Sequence, residues 1–295
     1  MISICIPLFN FDSRVLIRKL SEQAERLLVP YEIIAIDDGS DESFRLLHRE
    51  LSLPCFTYVE LPENVGRSKI RNILVEESHY PYLLFMDCDM MVASKDYLQH
   101  YLPYCSPNSI CYGGRIYSDQ KPEASYALHW RYGVSRESLP ASKRKDNANC
   151  SFCTNNFMAD KQLLKDTVFD EQLQGYGYED TLIGLELQKK GIEIQHIDNP
   201  LIHIGLEPSS VYLSKVRNAL QNLKRIENRL NEKENRTTQF SGILKMNNKL
   251  QRWRLKPLLV FFFRLSEHSL TKHLQGKHPS LFLFDMYRLG YYCSL

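Results

Sequence analysis

The sequence predicts an α/β protein of the doubly wound class with a helical extension at its carboxyl end. Three observations support this prediction. Short apolar runs alternate with helix-periodic segments across roughly the first ninety residues, which is typical of βαβ units and a parallel sheet. Acidic residues directly follow two of these runs, and the charge of the chain changes sign near residue 206.

Four apolar runs in this first part are predicted to be β-strands. They are ISICIPL (2–8), YEIIAI (31–36), CFTYVEL (55–61) and YLLFM (82–86). The segments between them are predicted to be helices over 12–28, 42–51 and 66–78. The first of these places its apolar residues close to the 3.6-residue period of a helix that buries one face.

The chain is predicted to be less regular after residue 89. GGRIY (113–117) and two runs within EIQHIDNPLIHIG (193–205) are predicted to be short strands. The polar stretch 122–149, which contains SKRKD, predicts a mobile loop. A helix is predicted to end at Gly191, and another to begin near Ser209.

Charge divides the chain into an acidic body and a basic tail. Residues 1–206 carry 21 Lys and Arg against 29 Asp and Glu, whereas residues 207–295 carry 16 against 6. We therefore predict two domains with these bounds, 1–206 and 207–295. The acidic body argues against a nucleic-acid partner, although clustered cations and aromatic rings in the tail could serve such binding.

Two further features concern the cellular compartment. No apolar run approaches the roughly 20 residues of a membrane helix, and the amino-terminal residues lack the features of a signal peptide, so a cytoplasmic location is predicted. The eight cysteines lie mostly in apolar runs and resemble core residues rather than a disulfide framework. Cys150 and Cys153 form a single CxxC, which without a second pair gives little support to a zinc site.

Paired acids follow the second and fourth predicted strands. Asp37 and Asp38 come after YEIIAI, and Asp87 and Asp89 come after YLLFM. Ligands of open parallel sheets bind beyond the carboxyl ends of the strands, so both pairs should line one crevice. Residues two apart in an extended chain point to the same side, and two such carboxylates suit Mg²⁺ or Mn²⁺ shared with substrate phosphates. Alternatively, Asp87 caps a helix and Asp89 is a solvated loop residue.

Taken as an ordered set, these motifs resemble the family 2 glycosyltransferases. The set comprises ISICIPLFN, IDDGSDES, ENVGRSKIRN, the strand leading into DCD, and FDEQLQGYGYEDTLIGLELQKKG. The last segment is similar to the Glu-Asp segment of chondroitin-type polymerases and galactosyltransferases. The resemblance covers about residues 1–206 and implies the GT-A fold, with a doubly wound mixed sheet and a helical C-terminal extension.

The resemblance implies roles for residues on the donor side. Asp38 would bind the uracil ring and Asp87 the ribose or a metal. The remaining candidates for binding the nucleotide-sugar are Pro7, Asn10, Asn64, Arg67 and Arg71. An arginine there suits phosphate oxygens, while the alternative for Arg71 is an ordinary position on a helix surface.

The resemblance also implies a metal site and a catalytic base. Mn²⁺ or Mg²⁺ would be bound by Asp87, Asp89 and His203, with His196 as the rival histidine. Asp180 would be the general base and Glu179 its neighbour at the sugar. Asp180 could also cap the helix that follows it.

Two further segments would contact the acceptor. Tyr176, Gly177 and Tyr178 would offer aromatic faces and a close backbone approach, although an ordinary turn is the alternative. Asn155 and Asn156 occupy the position of an acceptor-side asparagine, but the small residues that usually precede it are replaced by Cys153-Thr154.

The basic tail allows two interpretations. Its cations and aromatic rings could meet anionic lipid headgroups, which would place the protein peripherally at the inner face of the plasma membrane. They could instead pack on the catalytic domain or on a second subunit.

The predicted function is a metal-dependent, inverting transfer of a sugar from a nucleotide-sugar, with UDP as the predicted nucleotide, to a hydroxyl of a glycan or lipid-linked glycan in bacterial surface polysaccharide assembly. One alternative keeps the fold and changes the acceptor to polyprenyl phosphate, which needs no general base. Another is a non-catalytic protein that binds nucleotide-sugars or glycans.

Overall fold

The computed structural model describes residues 1–173, 175–233 and 240–295. Its strands within these ranges are β1 (Ile2–Leu8), β2 (Tyr31–Asp37), β3 (Phe56–Glu60), β4 (Tyr82–Met86), β5 (Met90–Met91), β6 (Ile110–Tyr112), β7 (Arg115–Tyr117), β8 (Asn156–Asp160), β9 (Gln195–His196) and β10 (Leu201–His203). Its α-helices there are α1 (Arg14–Ala24), α2 (Glu42–Arg49), α3 (Arg67–Glu77), α4 (Ala127–Tyr132), α5 (Ala141–Arg144), α6 (Lys161–Asp166), α7 (Glu179–Lys189), α8 (Ser209–Lys233), α9 (Gly242–Arg252), α10 (Lys256–Leu274) and α11 (Leu281–Ser294).

The chain forms two compact units. The first contains the sheets and comprises Met1–Ser118, Glu137–Leu173 and Glu179–Gly205. The second is helical and comprises Asp119–Arg136, Gln174–Tyr178 and Leu206–Leu295. The helical unit therefore includes two segments that precede residue 207, and the domain bounds 1–206 and 207–295 stay a prediction.

A seven-stranded sheet forms the centre of the first unit, in the order β3-β2-β1-β4-β8-β6-β9. Strands β1 to β4 are parallel to one another, whereas β8 runs antiparallel to both β4 and β6. The predicted α/β class with a mixed sheet is confirmed. Because β8 runs the other way, its first residues lie at the same edge as the carboxyl ends of β1, β2 and β4.

Successive side chains of a strand point to opposite faces of the sheet, and each face has its own hydrophobic core. Ile4 and Ile6 of β1 pack in one cluster with α1, while Cys5 packs in the other with α3. Strands that are covered on both faces are apolar nearly throughout, and this explains why ISICIPL and YLLFM could be predicted with the bounds that the structure has.

A small second sheet, in the order β5-β10-β7, lies beside the end of β4. In β10, His203 pairs antiparallel with Met90 of β5, and the N–H of Ile204 donates to the carbonyl of Asp89 at 3.0 Å. This register brings the PLIHIG segment to the DCD turn.

The prediction of a mobile loop over 122–149 is wrong. The segment folds into α4, a π-helical turn at Gly133–Glu137, α5 and two short 3₁₀ turns. Arg144 of the SKRKD motif is buried, and its guanidinium donates to the carbonyls of Tyr112, Gly113 and Ile197. A polar sequence formed ordered structure here because one cation satisfies several backbone carbonyls at once.

We expect Arg144→Leu to lower the free energy of unfolding by about 3 kcal/mol, because buried carbonyls lose their donors. Chemical denaturation followed by circular dichroism measures this change. The matched control is Lys143→Leu, which replaces an exposed cation of the same motif and should change stability by less than about 0.5 kcal/mol. Equal stability of the two variants would contradict the structural role of Arg144.

The helical unit has its own core. The predicted helix from Ser209 is confirmed, and α8 buries Leu220 and Leu223 in a cluster that includes Phe284 and Tyr287 of α11. Gly290 permits a close contact between α10 and α11, since a Cβ there would lie 2.4 Å from the ring of Phe263. Within the described ranges, no helix has both the length and the apolar character needed to cross a lipid bilayer.

Candidate active site

The turn after β2 is held by its own carboxylates and by the loop after β1. Asp37 is fully buried, and its Oδ1 accepts a hydrogen bond from the N–H of Ser40 at 2.7 Å. Asn10 links the two loops, since its N–H donates to Ser40 Oγ and its Oδ1 accepts from the N–H of Asp41. Asn10 has a positive φ of 46°, which asparagine tolerates better than most residues. This edge of the sheet is therefore a fixed surface.

Asp38 connects that turn to the segment before α3. Its Oδ1 accepts from the N–H of Val65 at 2.7 Å and its Oδ2 from the N–H of Gly66 at 3.2 Å. Burial, with the charge of Asp37, raises the pKa of Asp38 despite these hydrogen bonds. The described contacts assign Asp38 a role in holding the loop, and its predicted contact with uracil stays a prediction.

Pro7 and Asn64 flank the same surface. Pro7 lies within β1 opposite Ile36 and is partly exposed, while Asn64 is exposed. Gly39 lies against the Asn64 segment, because a Cβ at its φ of 76° would be 2.5 Å from the Asn64 nitrogen. Only glycine fits this turn.

Arg71 lies inside the unit rather than on a helix surface. Its side chain is 2% exposed, its Nη2 donates to Asp87 Oδ1 at 2.7 Å, and its Nη1 donates to the carbonyl of Arg67 at 3.0 Å. The surface alternative for this residue is wrong. Arg71 fixes the first carboxylate of the DCD turn, whereas the Arg67 side chain is 41% exposed and lies 3.5 Å from Glu179 Oε1.

Asp89 pairs with a histidine. Its Oδ2 lies 3.2 Å from Nε2 of His203, and its Oδ1 is buried without a hydrogen-bond partner among the described residues. Burial acts to raise the pKa of Asp89, but the hydrogen bond of His203 and the charges of His203 and Arg67 outweigh it, so the pKa lies below the ordinary value. Gly205 packs on this carboxylate, since a Cβ there would lie 2.4 Å from Oδ2.

The structure brings together two of the three predicted metal ligands. Asp89 and His203 are adjacent, and a buried carboxylate oxygen without a donor fits a cation. The carboxylate of Asp87 is bound to Arg71 instead. Over residues 1–173, 175–233 and 240–295, there is no group of three or more His, Cys, Asp or Glu side chains that could hold a metal ion. Divalent ions that share substrate phosphates need few protein ligands, so Asp89 and His203 remain suitable.

The rival residues have other contacts. His196 is buried, with Nε2 2.9 Å from the carbonyl of Ala148 and its ring edge-on to Tyr112. Cys150 and Cys153 are both unbridged cysteines. The first unit therefore places His203, and not His196, at the DCD turn.

Glu179 and Asp180 begin α7. Asp180 is the second residue of the helix, so it is not the cap, and its Oδ1 accepts from the N–H of Thr181 at 2.7 Å. Burial and the neighbouring charge of Glu179 raise the pKa of Asp180 to about 6, although the charges of Arg115 and Arg71 oppose this rise. A carboxylate with this pKa suits a general base near neutral pH.

Arg115 is a charged neighbour of this site that sequence reasoning missed. It lies in β7, and its Nη2 is 2.6 Å from Glu137 Oε1, while the hydroxyl of Tyr117 donates to Oε2 of the same carboxylate. The GGRIY motif predicts only a strand there. A basic residue within a short strand, directly after two glycines, was the available signal.

The two asparagines predicted to contact the acceptor differ sharply in their hydrogen bonding. Asn156 is fully buried and saturated: its Oδ1 accepts from the hydroxyls of Tyr97 and Tyr101, and its Nδ2 donates to the carbonyls of Gly114 and Asn199. Its side chain has no hydrogen-bonding group left to bind a sugar. We therefore do not propose Asn156 as an acceptor-binding residue.

Asn155 has the opposite character. Its side chain is 3% exposed, and neither its amide oxygen nor its amide nitrogen has a hydrogen-bond partner among the described residues. The N–H of Asp87 donates to its carbonyl at 3.2 Å, which places it beside the DCD turn. A buried amide without hydrogen-bond partners lowers the stability of the folded protein, and a polar ligand that binds it would remove this penalty.

Tyr176, Gly177 and Tyr178 belong to the helical unit. Gly177 has a φ of 93°, and a Cβ there would lie 2.6 Å from the Cβ of Ala219 in α8. Lys215 lies over the ring of Tyr176, 5.3 Å from its centroid. Tyr178 has a positive φ of 71°. These contacts give the Gly-Tyr segment a packing role within its unit, and its contact with an acceptor stays a prediction.

Comparisons with known proteins agree with this architecture. Residues 3–167 match the model of the family described as Glycosyl transferase family 2. The chain is 22% identical over 244 residues to the chondroitin synthase of Escherichia coli, covering 68% of this chain and 34% of that protein. It thus spans about a third of the length of the curated relative that it matches.

Two solved structures resemble the chain in fold. One is the mannosyltransferase PcManGT from Pyrobaculum calidifontis in complex with GDP-Man and Mn²⁺, with 14% identity, a TM-score of 0.54, and coverage of 76% of this chain and 63% of that chain. The other is S. aureus TarS 1–349, with 15% identity, a TM-score of 0.52, and coverage of 97% and 89% respectively.

Proposed function

Because this chain belongs to glycosyl transferase family 2, we propose that it moves a sugar from a nucleotide-sugar to a hydroxyl of a glycan or lipid-linked glycan, with inversion at the anomeric carbon. One observation carries the proposal. Two arginines of α3 link the DCD turn to the start of α7, since Arg71 binds Asp87, and Arg67 contacts Glu179 and acts electrostatically on Asp89. Such convergence of acids and arginines is characteristic of catalytic sites.

Asp180 is the proposed base. Its Oδ1 is engaged by the N–H of Thr181, and Oδ2, which has no such partner among the described residues, would accept the proton of the acceptor hydroxyl. The acceptor oxygen then forms its bond to the anomeric carbon, while the bond to the diphosphate oxygen breaks and its electron pair leaves with the diphosphate. Attack from the face opposite the leaving group gives inversion.

The remaining residues would bind and orient the substrates. Asp89 and His203 would hold Mn²⁺ or Mg²⁺, which when bound stabilises negative charge on a diphosphate. Arg67, the more exposed arginine, would contact the phosphates, and Arg71 would keep Asp87 directed at the ribose. Asn155 would supply the amide that meets the acceptor.

Two nucleotide bases are candidates for the donor. The resemblance favours UDP, whereas the PcManGT structure contains GDP-Man. The experiment is to incubate the protein with UDP- and GDP-sugars, with Mn²⁺, Mg²⁺ or EDTA, and to measure release of the nucleoside diphosphate. Metal-dependent release from one class supports the proposal. Tight binding of a nucleotide-sugar with no hydrolysis and no transfer would instead indicate a non-catalytic binding protein.

The rate is expected to depend on pH through Asp180. A base must be ionised to accept a proton, so turnover should fall as pH drops through about 6, the pKa of Asp180, and level off above it. Initial rates under saturating substrates measure this, with circular dichroism at each pH as the control for unfolding. A rate that stays constant from about pH 5 to pH 8 would contradict the assignment.

A further inference from the structure

One face of α10 is apolar and exposed. Leu258, Phe261, Phe262 and Leu265 are 53%, 58%, 57% and 68% exposed. At about 100° per residue, these four side chains fall within an arc of roughly 100° on the helix. They form one continuous apolar strip, which we call the α10 strip.

The α10 strip lies on a different side of the helix from the residues that pack within the helical unit. Phe263, on the other side of α10, is 5% exposed, and its ring lies edge-on to Tyr287 at 5.8 Å between centroids. Its close approach to Gly290 shows that this side of the helix packs against α11. The α10 strip therefore has a role other than forming the core of the helical unit.

Two more exposed apolar residues lie at the junction between α9 and α10. Trp253 is 61% exposed and Leu255 is 42% exposed. Contiguous exposed aromatic and aliphatic side chains of this kind are unusual on a soluble monomer and mark an interaction surface.

The part of the chain that contains the strip is strongly basic. Between residues 240 and 295 the sequence has nine Lys and Arg but only Glu267 and Asp285 as acids. Both acids are engaged, Glu267 by Arg217 at 2.7 Å and Asp285 by Arg136 at 3.1 Å. None of the ion pairs seen in the described part of the chain includes five exposed cations of this stretch, which are Lys249, Arg252, Arg254, Arg264 and Lys272.

We infer that the α10 strip and its flanking cations bind the surface of an anionic lipid bilayer. Rings and leucines would enter the boundary between headgroups and acyl chains, while the cations meet lipid phosphates. Self-association is disfavoured by the charge. In a two-fold interface the same patch meets itself, so two surfaces of the same positive sign would be brought together.

The test uses the full chain and two kinds of vesicle, phosphatidylcholine alone and phosphatidylcholine with phosphatidylglycerol. Co-sedimentation should occur only with the anionic vesicles and should weaken as salt is raised. Phe261→Ser with Phe262→Ser should reduce vesicle binding on the order of tenfold or more. Arg252→Glu with Arg254→Glu should reduce it similarly.

Matched controls come from the first unit. Val15 and Leu28 are exposed apolar residues, 63% and 101% exposed, and their replacement by serine should leave binding unchanged. Lys143→Glu with Lys145→Glu reverses two exposed charges of the first unit and should have a much smaller effect than reversal of Arg252 and Arg254.

A second readout reports insertion itself. In a Trp130→Phe background, Trp253 is the one remaining tryptophan of the sequence, and its emission should shift to the blue on addition of anionic vesicles. No binding to anionic vesicles, equal binding by the double Phe variant, or unshifted emission would each overturn the inference. So would a dimer in sedimentation velocity that dissociates in the double Phe variant and binds no vesicles. None of these measurements requires transferase activity.

Discussion

Asp180→Asn is expected to reduce kcat by about 10² to 10⁴, because the amide cannot accept the proton of the acceptor hydroxyl. The substitution preserves size, and an amide oxygen can still accept from the N–H of Thr181, so the start of α7 should remain intact. Affinity for the nucleotide should stay within a few fold of wild type. Steady-state transfer assays and calorimetric titration with the nucleotide measure the two quantities.

The control lies on the same helix. Glu186→Gln removes a carboxylate whose described partner is Lys189 at 2.9 Å, one turn along the surface of α7, and should leave kcat nearly unchanged. If Asp180→Asn instead turned over almost as fast as wild type, the acceptor would be a group that is already ionised. Polyprenyl phosphate would then be the better assignment.

Asp89→Asn is expected to abolish the contribution of Mn²⁺ to nucleotide binding. In the wild type, Mn²⁺ should tighten UDP binding, and in the variant this gain should fall by at least about tenfold, since the site loses a charged oxygen ligand. Asparagine has the size of aspartate, which matters because Gly205 packs directly on this side chain. UDP titrations with Mn²⁺ and with EDTA separate the metal effect from misfolding.

His203→Gln should show the same loss, because His203 is the second proposed ligand. Asp96→Ala is the control, since Asp96 is an exposed carboxylate that follows β5 and has no predicted part in the site. An Asp89→Asn protein that gains as much UDP affinity from Mn²⁺ as wild type would remove Asp89 from the metal site.

In the first unit, the strands of the first ninety residues can be predicted from the sequence more accurately than those that follow. The strands over 2–8 and 82–86 have the predicted bounds because local hydrophobic pattern determines a buried parallel strand. The sequence pattern does not predict β8, although it lies inside the sheet between β4 and β6. Its sequence, NFMAD, has a polar residue at each end. The strand is stabilised by pairing with β4 on one side and with β6 on the other.

The site shows the same limit. Sequence placed acids after β2 and β4, but it could not tell that Arg71 is buried against Asp87 or that Asn156 is saturated by two tyrosines. Arg144 and Arg115 are further examples, because their partners are backbone carbonyls and a glutamate from other segments of the chain. Such contacts depend on neighbours that periodicity does not describe.

The sequence by itself determined the βαβ half, the acids at the strand ends and the pattern of family 2, because these follow from local periodicity and from ordered motifs. The tertiary structure alone decided which groups meet. The antiparallel direction of β8 places Asn155 beside Asp87, and the pairing of β10 with β5 places His203, and not His196, beside Asp89. Pairing between segments far apart in the chain is a property of the packed fold, since it depends on which strand edges remain available.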